Sequence, residues 1–223
     1  MTEEIKRRLN EYHASMIIRG IEPLVNYYEF EDKEDYLNIF LIETVVYLPY
    51  NFLIIPDFIR IVGAKTYLSK PSGALKRLIF EGESYIESAA FFKMTELEEL
   101  LFKDSTTLLS LSFYECTSLR SVTFNGKYVD IRNKVFSMSN GLRLNFKCKE
   151  LYIKGSQFLG TNSIMYLTEV ENMYISGYGD KFTIDESEFR IIVSDKNKDS
   201  ILNTFRKHDF YMIEEEKNVY NVI

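Results

Sequence analysis

Residues 75–97 read LKRLIFEGESYIESAAFFKMTEL, residues 98–119 EELLFKDSTTLLSLSFYECTSL, residues 120–142 RSVTFNGKYVDIRNKVFSMSNGL and residues 143–164 RLNFKCKELYIKGSQFLGTNSI. Placed one above another, they align in columns. Phe80, Phe102, Phe124 and Phe146 fall 22 residues apart. Three further columns step by 22, 23 and 22: Ile86, Leu108, Ile131 and Ile153; Phe91, Phe113, Phe136 and Phe158; Leu97, Leu119, Leu142 and Ile164. The one extra residue falls between Phe124 and Ile131, where Asn125-Gly126 supplies a turn that absorbs it. A fixed period of this length predicts a solenoid of stacked repeats. Each repeat is a strand ending in Phe, a short connection, a second extended segment at the Ile/Leu column and a turn carrying the second Phe.

Working outward, a looser repeat at 53–75 precedes these four and carries a longer loop at Lys70-Pro71-Ser72-Gly73. A loose fifth repeat runs through Ile175, Phe182 and Phe189, with LYIKG at 151–155 echoed by MYISG at 173–177. Ile191 to Val193 reads as a last strand. The chain thus divides into an N-terminal cap over 1–50, a solenoid of about five to six repeats of 22–23 residues over 51–193, and a C-terminal cap over 194–223. The fold class is mainly β with short helical turns. In the first cap, Thr2 can cap a helix with apolar Ile5, Leu9, Tyr12 and Met16 and a stop at Gly20. Acidic residues 29–35 follow as a solvated loop, and the apolar run Tyr36 to Val62 reads as strands. In the last cap, Asp199 to His208 reads as a short amphipathic helix through Ile201, Leu202 and Phe205.

The segments IIPDFIRIVGAKTYL (54–68), SYIESAAFFKMTELEELLF (84–102) and LLSLSFYECTSLRSVTF (108–124) resemble the BspA-like leucine-rich repeat family. That family's pattern has a strand, an Ile-x4-Phe step and a turn ending in Cys-x-x-Leu, and the likeness covers roughly residues 50 to 195. The turn Cys occurs once, at Cys116, and the proline after the strand once, at Pro56. The resemblance implies a leucine-rich-repeat solenoid used for protein recognition, often displayed on cell surfaces.

Successive side chains on a strand face opposite ways. With the Phe columns inward, the outward rows are Arg77, Ile79 and Glu81; Glu99, Leu101 and Lys103; Ser121, Thr123 and Asn125; and Arg143, Asn145 and Lys147, with Ile54 heading the central column. This face has an apolar patch, Ile54, Ile79 and Leu101, grading into a polar, basic end. Arg77 falls beside Glu99, and Glu81 beside Lys103. Extended faces of repeat proteins serve recognition, which makes these twelve residues, with Ser121 left aside, the candidate partner-binding set.

Chemistry for catalysis is sparse. His13 and His208 lie in opposite caps and read as surface residues, so no Cys-His or Ser-His arrangement is expected. No Cys-x2-Cys or His-x3-His pair occurs, and Asp180, Asp185, Glu186 and Glu188 lack calcium-loop spacing. Gly82, Gly126, Gly155 and Gly177 sit in turns after strands and form no phosphate loop. No cofactor or metal is expected. The net charge of −6 comes from 33 acidic and 27 basic residues that are interspersed, which argues against a nucleic-acid surface. The start, MTEEIKRRLN, is no secretory leader, and no apolar run reaches the ~20 residues of a spanning helix. Cys116 and Cys148 lie 32 positions apart, about one and a half repeats, and read as reduced thiols. The expectation is a cytoplasmic, non-catalytic, protein-binding solenoid, monomeric or homodimeric, acting as an inhibitor or effector. The alternatives are a structural component of an assembly, or an enzyme with carboxylates in a cap.

Overall fold

The computed structural model describes residues 2–18, 28–32, 36–41, 45–48, 51–64, 70–73, 75–155, 162–176, 189–208 and 210–222. The chain opens with helix α1 (Glu3–Ile18), whose first free amide, that of Ile5, is met by Thr2 Oγ1 at 3.3 Å. Ile5, Tyr12 and Met16 are buried, and Leu9 packs on the core beside them. Strands β1 (Tyr28–Asp32), β2 (Leu37–Leu41), β3 (Val45–Leu48), β4 (Phe52–Ile55), β5 (Ile59–Ala64) and β6 (Lys70–Gly73) follow. The acidic run is therefore a strand over Glu29, Glu31 and Asp32, paired antiparallel with β2; Glu34 and Asp35 lie outside the described residues. Lys70–Gly73 likewise is a strand, paired parallel with β3. Edge positions need only backbone pairing, which charge or a lone proline does not forbid.

The repeats then supply β7 (Arg77–Phe80), β8 (Ser84–Ile86), β9 (Glu99–Phe102), β10 (Thr106–Leu108), β11 (Ser121–Phe124), β12 (Tyr128–Ile131), β13 (Arg143–Phe146), β14 (Glu150–Lys154), β15 (Ile164–Tyr166) and β16 (Asn172–Ser176). Each coil gives one strand to each of two sheets. The first runs in the order β4, β7, β9, β11, β13, β15 and continues through β17 (Phe189–Ile192). The second runs β1, β2, β5, β8, β10, β12, β14, β16. After β17 come α2 (Lys198–Arg206), β18 (Met212–Glu216) and β19 (Val219–Val222); the latter two join the first sheet antiparallel. Phe189–Ile192 is thus not the last strand. A hairpin follows it, and Asn218 at φ 65° makes its turn.

Between the sheets the Phe columns form two ladders. Phe80, Phe102, Phe124 and Phe146 stack at centroid distances of 4.7, 5.1 and 5.0 Å with planes within 9°. Phe91, Phe113 and Phe136 stack at 5.1 and 6.0 Å. The ladders meet edge to face, Phe80 on Phe91 at 6.2 Å and Phe102 on Phe113 at 6.3 Å, so both arrangements favoured by the ring quadrupole are used at once. Parallel coils repeat at about the strand spacing of 4.8 Å, and that spacing brings identical rings into contact. Phe158 and Phe182 lie outside the described residues.

The fourth column breaks at its end. Ile164 pairs with Arg143, so Ser163, fully buried, stands level with Leu142, and Leu167 replaces the Phe that the period calls for after Phe146. The turn of that coil is one residue shorter, and Ile164 faces outward instead of joining the core. Phe189 resumes the column, because Arg190 pairs with Ile164.

The third side of the solenoid is built from turns. Ala89 and Lys93, Leu111 and Glu115, and Lys134 and Met138 have φ between 57° and 71°, two left-handed residues per coil at a constant spacing. Their amides donate to the next coil: Ala89 to Ser110 at 3.2 Å, Lys93 to Tyr114 at 2.9 Å, Leu111 to Asn133 and Glu115 to Ser137 at 3.1 Å. Each such conformation costs a side-chain-bearing residue about 1–2 kcal/mol, which the inter-coil bonds offset. Among the described residues no helix is long and apolar enough to cross a membrane.

Candidate functional site

The first sheet positions the candidate set in three rows. Phe52, Arg77, Glu99, Ser121 and Arg143 pair in one, and Ile54, Ile79, Leu101, Thr123 and Asn145 in the next. The third row follows the strand ends. There the amides of Glu81, Lys103, Asn125 and Lys147 donate to Ile55, Phe80, Phe102 and Phe124 at 2.8–2.9 Å, which extends the ladder by one residue. All twelve residues alternate with buried Leu, Val and Phe and are half-buried or exposed.

Two charge neighbours read from the period are ion pairs. Arg77 Nε lies 3.0 Å from Glu99 Oε2, and Lys103 Nζ lies 2.7 Å from Glu81 Oε1. Lys76 and Glu98 make a third such pair at 2.8 Å, and Lys93 and Glu115 a fourth at 3.0 Å on the turn side. All four join the same two coils. Being exposed, each contributes up to about 1 kcal/mol. The Glu98 carboxylate holds the Lys76 ammonium above its ordinary range.

The face does not end polar. Its central row continues through Tyr166 and Ile192, and its first row through Ile164 and Arg190. Apolar ends therefore flank a polar middle at Thr123 and Asn145. Around Tyr166 the cations Arg143, Lys147 and Arg190 have no ion partner among the described residues.

The second sheet carries a face that the period alone does not announce. Tyr85, Thr107, Asp130, Tyr152 and Tyr174 occupy one outward row. Tyr152 and Tyr174 stack at 4.8 Å, and Tyr85 and Tyr174 are exposed. Asp130, 8% exposed, receives Lys154 at 2.8 Å and Arg132 at 3.1 Å. Tyr152 donates to Glu150 at 2.7 Å, which together with burial pushes its hydroxyl up to about 12. The echo of LYIKG in MYISG is the signal that marks this row.

Elsewhere the reactive groups are enclosed or dispersed. Cys116 and Cys148 are buried free thiols, pushed up to about 12 by burial, with the Glu169 charge adding to the effect at Cys148. Cys116 Sγ donates to Phe91 O at 3.4 Å. The histidines are half-buried and not plain surface residues: His13 lies 5.8 Å from the Tyr12 ring, and burial lowers its basicity. Among the described residues no three His, Cys, Asp or Glu side chains converge to hold a metal. A cleft of about 560 Å³ beside α2 is lined by Glu169, Glu171, Lys196 and Asn197, with no His or Cys. Asp180, Asp185, Glu186, Glu188 and Gly177 lie outside the described residues.

Parallel coils that each end a strand in a buried Phe and close through a tight turn define a leucine-rich-repeat solenoid. Residues 65–178 match the model of the BspA type leucine rich repeat region, in six copies, and the chain belongs to that family. Searches of curated proteins and of solved structures found no match. Leucine-rich repeats generally mediate protein–protein interaction and are generally non-enzymatic.

Proposed function

We propose that this chain binds another protein through the outer face of the first sheet, without catalysis, as an inhibitor or effector that sequesters its partner. The observation that carries the reading is the unbroken central row Ile54, Ile79, Leu101, Thr123, Asn145, Tyr166 and Ile192. Rigid strands hold its apolar and aromatic members in line, flanked by charges that can form the rim of an interface. The unpaired Arg143, Lys147 and Arg190 favour a partner with acidic groups at that end. Two buried thiols support residence in a reducing, cytoplasmic compartment.

The test is capture from the native host with wild type and with Ile79→Glu/Leu101→Glu, read by quantitative mass spectrometry. Loss of one specific protein by the variant, at unchanged thermal midpoint, is the expected result. Equal recovery of every captured protein by both would remove the strand face from consideration.

A further inference from the structure

The sheets of this solenoid end in edge strands, and the protein treats them differently. At β4 the Tyr12 hydroxyl occupies the Ile54 carbonyl at 2.5 Å. At β16, α2 lies alongside with Ile201, Leu202 and Phe205 buried, and Thr204 Oγ1 stands 3.4 Å from Met173 O. At β18 nothing comparable occurs. This strand is the terminal member of the first sheet, with β19 as its one strand neighbour. Among the described residues no backbone hydrogen bond from outside the hairpin reaches 212–216. Alternate amides and carbonyls of β18 therefore point away from β19 with no protein partner.

The side chains state what such an edge can accept. Tyr211 and Ile213 are 78% and 56% exposed, an apolar start to the strand. Glu214 is engaged, 3.2 Å from Lys198 Nζ and 2.8 Å from the Tyr220 hydroxyl, and these contacts hold its carboxyl below the usual range. Glu215 and Glu216 are exposed and meet no cation among the described residues. A second copy of β18 would bring carboxylates opposite carboxylates, which is destabilising across a strand pair.

We propose that β18 receives an extended segment of another protein, bearing lysine or arginine at alternate positions, as an additional strand of the first sheet. Main-chain bonds supply the attachment, and Glu215 and Glu216 select the charge. The site is independent of the face reading, because β18 stands six strand positions from Leu101, about 29 Å at the usual spacing.

The probe is a fluorescein-labelled peptide of about eight residues alternating lysine and valine, titrated with the full chain and followed by anisotropy. Saturable binding is expected, weakened about tenfold or more by Glu215→Lys/Glu216→Lys, which should instead bind the glutamate–valine peptide. Replacing two adjacent central residues of the peptide by proline removes a donor on each of its edges and should abolish binding, while Ile79→Glu/Leu101→Glu should leave it unchanged. Equal binding of the proline peptide would reduce the effect to adsorption on carboxylates and overturn strand addition. So would an unchanged affinity in the charge-reversed variant, absence of binding, or loss of binding in Ile79→Glu/Leu101→Glu. A wild-type dimer in sedimentation that Ile213→Pro dissolves would overturn it too, by making a second copy the occupant.

Discussion

The Tyr12 hydroxyl donates its hydrogen to the Ile54 backbone carbonyl, 2.5 Å away, and thereby ties a helix to the edge of a sheet. The Asn51 and Ile55 carbonyls accept from Arg77 and Glu81 of the next coil. Strand alternation then turns the Ile54 carbonyl to the open side, where no coil precedes it. Helix α1 covers the apolar end of the solenoid with Ile5 and Met16 while Tyr12 satisfies the exposed edge.

Tyr12→Phe should keep the ring's burial and lose only this bond. The expected cost is about 0.5–1.5 kcal/mol, seen as a lower urea midpoint at unchanged slope. An unchanged midpoint would mean that water serves the carbonyl equally well.

The period made the two Phe ladders legible, because a side chain repeated every 22 residues must meet its own kind in a parallel stack. It also made the Arg77–Glu99 and Glu81–Lys103 pairs legible, since period and strand alternation together fix which side chains are neighbours. The slip at Ile164 was not legible. A shortened turn moves the register by one, and apolar Ile164 fits the column by type although Ser163 fills it in space. Nor do Ala89, Leu111 and Lys134 betray their left-handed backbone, because inter-coil hydrogen bonds impose it where Gly or Asn would be the local choice. Strands β1 and β6 carry loop-like composition and exist through tertiary pairing alone. The binding face was legible as far as Asn145; its continuation through Tyr166 and Ile192 depended on the slipped register.

Gly126→Ala should destabilise by about 3 kcal/mol, the upper part of the overpacking range. A Cβ there would lie 2.2 Å from the Ser105 amide nitrogen, and backbone cannot move aside as a side chain can. That amide belongs to a turn whose Ser105 hydroxyl accepts from the Lys127 and Tyr128 amides, so displacement breaks both. Gly141→Ala is the control. Its φ is +68° with nothing within 4 Å, so only the left-handed strain of about 1–2 kcal/mol applies. Equal losses in the two variants would refute the close approach.

The thiols should be silent in the native state and titrate in the unfolded one. Burial raises Cys116 from 9.0 to about 12, so the folded chain keeps the neutral thiol. The stability this group contributes is complete below about pH 9 and is lost as pH rises toward 12, because the unfolded chain ionises first. Near pH 10.5 the loss is about 2 kcal/mol for this thiol. Comparing urea midpoints of wild type and Cys116→Ala near neutrality and near pH 10.5 isolates it; a gap between the two proteins that does not change with pH would show Cys116 to be solvated.

Phe113→Ala should cost about 3–5 kcal/mol, and Phe92→Ala, one coil away on the same turn side, about 1 kcal/mol. Phe113 is fully buried, stacked between Phe91 and Phe136 and touching Phe102 edge-on. Its removal leaves a cavity bordered by coils on both sides. A solenoid coil contacts only its neighbours, so both inter-coil interfaces weaken together, and no distant part of the chain can compensate. Phe92 also stacks, on Tyr114 at 5.5 Å, but it is half-buried and covered by Lys93, so water and a flexible side chain can fill its place. Denaturant midpoints of the two variants separate stacking from enclosure. If Phe92→Ala cost as much as Phe113→Ala, ring stacking between coils, and not burial between the sheets, would be the main source of the solenoid's stability.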